Sequence, residues 1–371
     1  MTVDAAARGN GLAECMQPLA RRYDVAMLDL DGVVYIGRDA VPDVPRHLSA
    51  ARDAGMRLGF VTNNAARPPS IVAEHLTELG VAAQPGDVVT SAQAAARLVA
   101  ERVPGGAAVF VIGGQGLFEA LRDQRLRPVQ SIDEEPAAVV SGYHPDLRWR
   151  TVIDGAILVR RGLPWFASNT DSTVPTSHGP GPGNGVLVGV VADFAGQEPV
   201  VAGKPRPPLL EETLRRIGGS APLVVGDRLD TDIEGAVNAG FDSLLVMTGV
   251  TGLAELVAAP PGSRPTYLSA TLAGLLESHP LPNPGPPQGG PAGGPEAGPE
   301  AGPEAGPKTG STAGPEWRLG GWRADVTDGS LAVDGTGALD DWWRVVAMAA
   351  WAWHDEAGEP PATEGLAVPE A

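Results

Sequence analysis

The sequence predicts an α/β protein: a doubly wound, Rossmann-like parallel sheet with an α/β cap domain inserted into it. Three observations carry that expectation. Short apolar runs end in polar side chains at four places: Val25 to Leu28 before Asp29, Leu58 to Val61 before Thr62, Val200-Val201 before Lys204, and Leu223 to Val225 before Asp227. Runs of that length without polar interruption read as buried strands. Helical spacing follows the third of them, in Leu209, Leu210, Thr213, Leu214 and Ile217, and strands alternating with helices build a parallel sheet. Finally, about 140 residues separate Asn64 from Lys204, more than one crossover needs, so a second domain must lie between them.

The first run leads into Asp29-Leu30-Asp31-Gly32-Val33-Val34-Tyr35. Two carboxylates spaced by two share one side of an extended chain, and Gly32 allows a tight turn away. Ligands gather at the carboxyl ends of strands in such sheets. Two close acids there can hold a divalent cation, or one can attack while the other moves protons. The second run ends in Thr62-Asn63-Asn64, a hydroxyl and two amides that can bind an anion. In the third place Lys204 stands between Gly203 and Pro205, at a strand-to-helix switch. The fourth run continues as Gly226-Asp227-Arg228-Leu229-Asp230-Thr231-Asp232-Ile233-Glu234. Asp230 and Glu234 suit the start of a helix, where acids complement its dipole. Asp227, at the strand end, is the better metal candidate.

Taken together and in this order, these segments resemble the four motifs of the haloacid dehalogenase superfamily. The wording Asp-Leu-Asp-Gly-Val-Val-Tyr, Val61-Thr-Asn-Asn, Gly203-Lys-Pro and Gly226-Asp-Arg-Leu-Asp-Thr-Asp-Ile is similar to its NagD-like and p-nitrophenylphosphatase-like branch, which carries a large α/β cap. The resemblance covers residues 22 to 280. It implies a Mg²⁺-dependent phosphatase acting on a small phosphomonoester, with glycerol 3-phosphate and phosphoglycolate as candidate substrates. Asp29 would be the nucleophile and Asp31 the general acid and base. Thr62, Asn63 and Lys204 would bind the phosphoryl group. Mg²⁺ would be held by Asp29, the Asp31 carbonyl and Asp227, with Asp232 supporting the site from behind. The polar, Gly/Pro-rich stretch 168–185 would be the substrate loop, with Asn169, Asp171 and His178 as specificity candidates; here Asn169-Thr170-Asp171 stands where the family often has Asn-Pro-Asp.

Charge and composition narrow the partners. A formal net charge of −18 argues against nucleic acid and anionic membrane surfaces. The expected partner is a small phosphorylated metabolite, and a homodimer through the cap is the expected assembly. One cysteine, Cys15, excludes an internal disulfide and fits a reducing, cytoplasmic location. No apolar stretch approaches the roughly 18 residues of a spanning helix, and the start lacks a signal peptide's basic and apolar regions.

The expected organisation follows. Residues 1–21 read as a loose lead-in, 22–85 and 181–280 as the core, and 86–180 as the cap. Within the cap, Ala108 to Ile112, Ala137 to Val140, Ala156 to Val159 and Trp165 to Ser168 are the expected strands. Residues 281–316 are a Pro/Gly-rich linker repeating Gly-Pro-Glu-Ala, too poor in apolar surface to fold. Residues 317–357 form a small Trp-rich element holding six of the eight tryptophans, expected as a hairpin turning at Asp328-Gly329 and a helix over Ala338 to His354. It is read as a structural element docked on the phosphatase or on a second copy of the chain. The alternative is a binding or scaffold protein that keeps the phosphatase fold and uses this element as an interaction surface. Residues 358–371 complete the chain as a tail.

Overall fold

The structure is a computed structural model, and it describes residues 10–176, 178–285 and 314–369. At its centre is a six-stranded sheet, every pair parallel. Its order is Tyr267–Ser269, Asp242–Val246, Pro222–Gly226, Val25–Leu28, Arg57–Thr62, Val88–Thr90. All four residues of Val25–Leu28 are buried, as expected of a strand with helices on both faces. Ala26 and Leu28 pack with Leu48, Ala51 and Leu76, from helices Val44–Asp53 and Pro69–Glu78. Val25 and Met27 pack the other way, with Ala95, Leu209 and Leu210, from helices Ser91–Ala100 and Pro208–Ile217. The period-2 alternation of side chains thus assigns one strand to two apolar layers.

Register then gathers the functional residues. Leu28 pairs with Val225 on one side and Phe60 on the other. Asp29, Asp227 and Thr62 therefore emerge at one end of three adjacent strands. The chain order also reverses here, because Val25–Leu28 lies between Pro222–Gly226 and Arg57–Thr62. That is the topological switch point at which α/β sheets bind ligands.

The inserted domain has its own five-stranded parallel sheet, ordered Val200–Val201, Trp165–Ala167, Ala138–Ser141, Ala108–Ile112, Arg127–Val129. Three expectations are corrected. Ala156 to Val159 lies inside helix Trp149–Arg160 rather than in a strand. Val152, Ala156 and Val159 are its buried residues at helical spacing, and a four-residue apolar run alone cannot distinguish the two periods. Val88–Thr90 belongs to the core sheet, so the first core segment runs past residue 85. The chain also stays in the cap beyond residue 180. Val188 and Val191 of helix Asn184–Ala195 pack with Phe110 and Trp165, and Val200–Val201 adds a strand.

Both ends of the chain are tied down more than expected. Cys15 is buried and pairs its backbone with His279, donating at 2.9 Å and accepting at 2.6 Å, and Leu19 is fully buried. The loose lead-in is therefore docked from at least Ala13, whose N–H donates to the Thr266 carbonyl. Asn283–Pro284 pairs with Trp317–Leu319, so the expected linker gives up residues at both its ends, while 286–313 lie outside the described residues. The tail contributes too: Ala362 exchanges backbone hydrogen bonds with Leu331 and Gly329, at 2.9 and 2.7 Å.

The C-terminal element is a four-stranded antiparallel sheet, Asn283–Pro284, Trp317–Leu319, Trp322–Thr327 and Ser330–Gly335, covered by helix Leu339–Ala357. Asp328 and Gly329 make its turn, both at positive φ as a tight hairpin requires. Trp342, Trp343 and Trp351 are buried in one cluster with Leu245, Leu256 and Leu268 of the core. Polar ties fix the docking. Arg264 donates to both carboxylate oxygens of Asp355, at 2.8 and 2.7 Å, and Asp340 accepts from the Ala270 N–H at 2.7 Å. The docked element is the observed one.

Trp342→Ala should therefore cost about 3–5 kcal/mol of stability, the range for emptying a buried aromatic site. Chemical denaturation followed by circular dichroism would read it, and a loss under about 1 kcal/mol would show that the element is only loosely attached.

Candidate active site

Lys204 is the centre of the site. It leaves the cap sheet in the loop after Val200–Val201 and precedes helix Pro208–Ile217, and its side chain is almost fully buried. Its ammonium donates to Asp29 Oδ1 at 2.5 Å and to Asp232 Oδ1 at 2.6 Å. Burial disfavours the charged amine, but the two carboxylates outweigh it and leave its pKa raised. The backbone of Lys204 is held as firmly. Asn63 Oδ1 accepts from the Lys204 N–H at 2.9 Å, and Asn63 Nδ2 donates to the Lys204 carbonyl at 3.0 Å and to Asp171 Oδ1 at 3.0 Å.

The side chain of Asn63 is thus committed within the protein. Its amide is spent on positioning the lysine, so anything it offers a phosphoryl oxygen comes from its backbone. Asn169 supports the same clamp: its Nδ2 donates to the Asn63 carbonyl at 2.6 Å, which Ser91 Oγ also reaches at 2.5 Å. Asn169 and Asp171 thus stand beside the site as anchors between cap and core. Burial raises the pKa of Asp171, while the Asn63 amide works to lower it. His178 is different. It is exposed at the turn between strands Thr173–Thr176 and Gly179–Pro182.

The acids divide by what holds them. Both oxygens of Asp232 have a partner, Oδ1 on Lys204 and Oδ2 accepting from the Arg228 N–H at 3.1 Å. Asp227 Oδ2 accepts from the Val250 N–H at 2.7 Å, but its Oδ1 is buried with no partner. Oxygens of Asp29, Asp227 and Asp232 lie within 4.8 Å of one another. Burial lifts the Asp29 carboxyl well above the usual carboxylate range against the pull of Lys204, and lifts Asp227 to about 6, with Asp232 adding to both. A buried, oxygen-only cluster with an unpartnered carboxylate oxygen fits a hard divalent cation. Asp230 instead forms a two-pronged surface pair with Arg228, at 3.0 and 2.7 Å.

Asp31 faces solvent at the mouth of the site, yet the surrounding protein raises its pKa, with Lys204, Arg67 and His75 drawing it back. A carboxyl that holds its proton more readily than usual suits a general acid. Thr62 is buried at its strand end, and its Oγ1 accepts from the Asn64 N–H at 3.0 Å, leaving the hydroxyl proton free to donate.

Two glycines give the carboxylates room. A Cβ on Gly32, which sits at φ +85°, or on Gly249 would overlap the Asp227 carboxylate. The loop Met247-Thr248-Gly249-Val250, which follows strand Asp242–Val246, completes the surroundings of Asp227. Thr248 Oγ1 donates to the Gly32 carbonyl at 2.5 Å, and Val250 holds Asp227. Its signal was present in Asp242 to Val246, another apolar run ending in Thr and Gly.

A Rossmann-like core whose switch point presents paired acids, a buried lysine and an oxygen-lined cation cluster is the framework of a hydrolase acting on phosphate esters. Comparison with known proteins agrees. The model of haloacid dehalogenase-like hydrolases matches residues 26–127, and a second, HAD-hydrolase-like model matches 201–275. The D-glycerol 3-phosphate phosphatase of Mycobacterium tuberculosis is 43% identical over 274 residues, 73% of this chain and 77% of that protein. An acid sugar phosphatase of Staphylococcus aureus is 34% identical over 64% of this chain and 91% of its own. A solved glycerol phosphate phosphatase from M. tuberculosis, in complex with magnesium, superposes with TM-score 0.77 at 37% identity, covering 94% of this chain and 96% of that one. The p-nitrophenyl phosphatase of Archaeoglobus fulgidus does so with TM-score 0.64 at 30% identity, over 69% and 98%. The chain belongs to the haloacid dehalogenase-like hydrolases, in their phosphatase branch of p-nitrophenylphosphatase type. No helix among the described residues is long and apolar enough to cross a membrane.

Gly32→Ala should cost about 1–3 kcal/mol from backbone strain and displace the Asp227 carboxylate, lowering kcat at least tenfold. A thermal melt and a kcat both at wild-type level would show that the loop relaxes without consequence.

Proposed function

We propose that the protein is a Mg²⁺-dependent phosphatase that hydrolyses glycerol 3-phosphate or a close small phosphomonoester through an aspartyl-phosphate on Asp29. The observation that carries this reading is the Lys204 ammonium bridging Asp29 and Asp232 beside the unpartnered Asp227 Oδ1. Relatives named for glycerol phosphates, one of them for D-glycerol 3-phosphate, favour that substrate over phosphoglycolate.

The chemistry runs in two displacements. Asp29 attacks phosphorus, the ester P–O bond breaks, and Asp31 gives its proton to the departing alkoxide. Asp31 then takes a proton from water as the water oxygen attacks the same phosphorus, which releases inorganic phosphate and restores the Asp29 carboxylate. Lys204 and Thr62 stabilise the charge on the transferring oxygens. Mg²⁺ would be held by Asp29, Asp227 and the Asp31 carbonyl and would supply neutralisation of the substrate's negative charge. Asp232 keeps Lys204 aimed at Asp29.

The scaffold alternative loses its main support in the fold. It needs the tryptophans as an open surface, and Trp342, Trp343 and Trp351 are buried against the chain's own core.

Asp29→Asn should remove turnover on glycerol 3-phosphate while the protein stays folded, because an amide cannot form the acyl-phosphate. Near-normal kcat in that variant would sink the covalent mechanism. Asp31→Asn should lose about 10²–10⁴ on glycerol 3-phosphate and less on p-nitrophenyl phosphate, whose leaving group needs little protonation. Equal losses on both esters would remove Asp31 from the acid role. Chelation of divalent cations should abolish activity and added Mg²⁺ restore it; activity that survives exhaustive chelation would overturn the metal assignment.

A further inference from the structure

A second cavity, of about 760 Å³, opens at the opposite end of the core sheet from Asp29. Arg57, which lines it, is the first residue of strand Arg57–Thr62, and Thr62 of the active site is the last. The two are five strand steps apart, about 17 Å. The cavity is therefore no extension of the site already described.

Its chemistry stands out in an acidic chain. Arg52, Arg57 and Arg216 line it, and Asp87 is the one carboxylate among its walls. The arginines are loosely neutralised. The closest approach of Arg52 to Asp87 is 3.9 Å, and Asp87 already accepts from the Gln84 N–H at 2.9 Å. Arg57 donates to the Ile217 carbonyl at 3.3 Å, and no carboxylate among the described residues pairs with it. Arg216 reaches Glu212 at 2.5 Å, but that carboxylate also serves Arg215 at 2.7 Å and Arg97 at 3.7 Å. Around the cavity five arginines thus share three carboxylates, Asp87, Glu212 and Glu101, the last of which takes Arg97 at 3.1 Å, a surplus of two positive charges in a protein of net charge −18.

Guanidinium groups present forked donors that match phosphate oxygens in pairs. Leu58, Ala82 and Ile217 add apolar wall beside them. The volume falls within the roughly 300–1,000 Å³ of small-molecule sites. We propose that this cavity binds an organic polyphosphate of nucleoside di- or triphosphate size, with the phosphates on Arg52, Arg57 and Arg216 and the base on the apolar wall. Inorganic polyphosphate shares the anionic chemistry but would leave that wall empty.

The test is isothermal titration of the full-length protein with pyrophosphate and, separately, with ATP, in chelator so that no turnover occurs. Both should bind, and Arg57→Ala/Arg216→Ala should weaken both at least tenfold while its kcat on p-nitrophenyl phosphate with Mg²⁺ stays at wild-type level. Lys204→Met should leave the binding intact, since the site is remote from the lysine. If the alanine pair fails to fold, Arg57→Lys/Arg216→Lys keeps the charge but loses the fork, and should weaken binding several-fold. ATP binding tighter than pyrophosphate supports the nucleotide, whereas equal affinity overturns that part and leaves polyphosphate alone. No binding at millimolar ligand, binding unchanged in both arginine pairs, or binding lost in a folded Lys204→Met would overturn the site.

Discussion

One buried ammonium holds the active site together. Lys204 is the only cation bonded to Asp29 and Asp232 among the described residues, and Asp31 and Asp227 add two more acids around it. Taking any of these charges out of water is costly, and like charges at a few ångströms add to the cost. Without the lysine no side-chain cation among the described residues would offset the charge of Asp29 and Asp232. With it, the set still carries surplus negative charge, which is why a divalent cation and a substrate phosphate can enter as a pair. The same residue joins the two domains. Its backbone is clamped by Asn63 of the core, whose carbonyl is held by Asn169, whose own carbonyl accepts from Asn184 of the cap at 2.6 Å. Moving the cap therefore moves the ammonium bonded to Asp29.

Much of this was legible in the sequence because strand ends are locally encoded. An apolar run followed by Asp, Thr or Asp marks where a buried strand meets the open end of the sheet, and register does the rest. The inserted domain was legible from the length of the gap alone. Ala156 to Val159 failed for the opposite reason: four apolar residues fit either period, and burial of Val152 and Val159 three to four residues away decides it only in three dimensions.

The roles of Asn63 and of the Thr248–Val250 loop were less legible, for a different physical reason. An amide at a strand end has two donors and an acceptor, and nothing local says whether they face a ligand or the backbone of a residue 141 positions away. Val250 likewise contributes only a backbone N–H, which any residue carries. Its position was marked instead by Gly249, where the lack of a side chain is what admits the Asp227 carboxylate. Glycine at a strand end was thus the usable signal.

The C-terminal element shows how a fold can be read correctly in its parts and still be misjudged in its attachment. Six tryptophans after a Pro/Gly-rich stretch look like a separable module, and about forty residues make a marginal core alone. The structure resolves that by sharing a core. Helix Leu339–Ala357 lies against Tyr267–Ser269, the last strand of the parallel sheet, and Arg344 Nε donates to the Leu268 carbonyl at 3.3 Å. Asp340 takes the Ala270 N–H and the Ser269 hydroxyl, at 2.7 and 3.0 Å. Groups at a sheet margin that would otherwise seek another chain are thus satisfied within this one. Leu245 and Ile233, which follow the Asp227 strand in the chain, lie in the same apolar cluster as Trp342. The element thus packs against the residues that follow the Asp227 strand, although Asp29, Lys204 and Asp227 all precede it in the sequence.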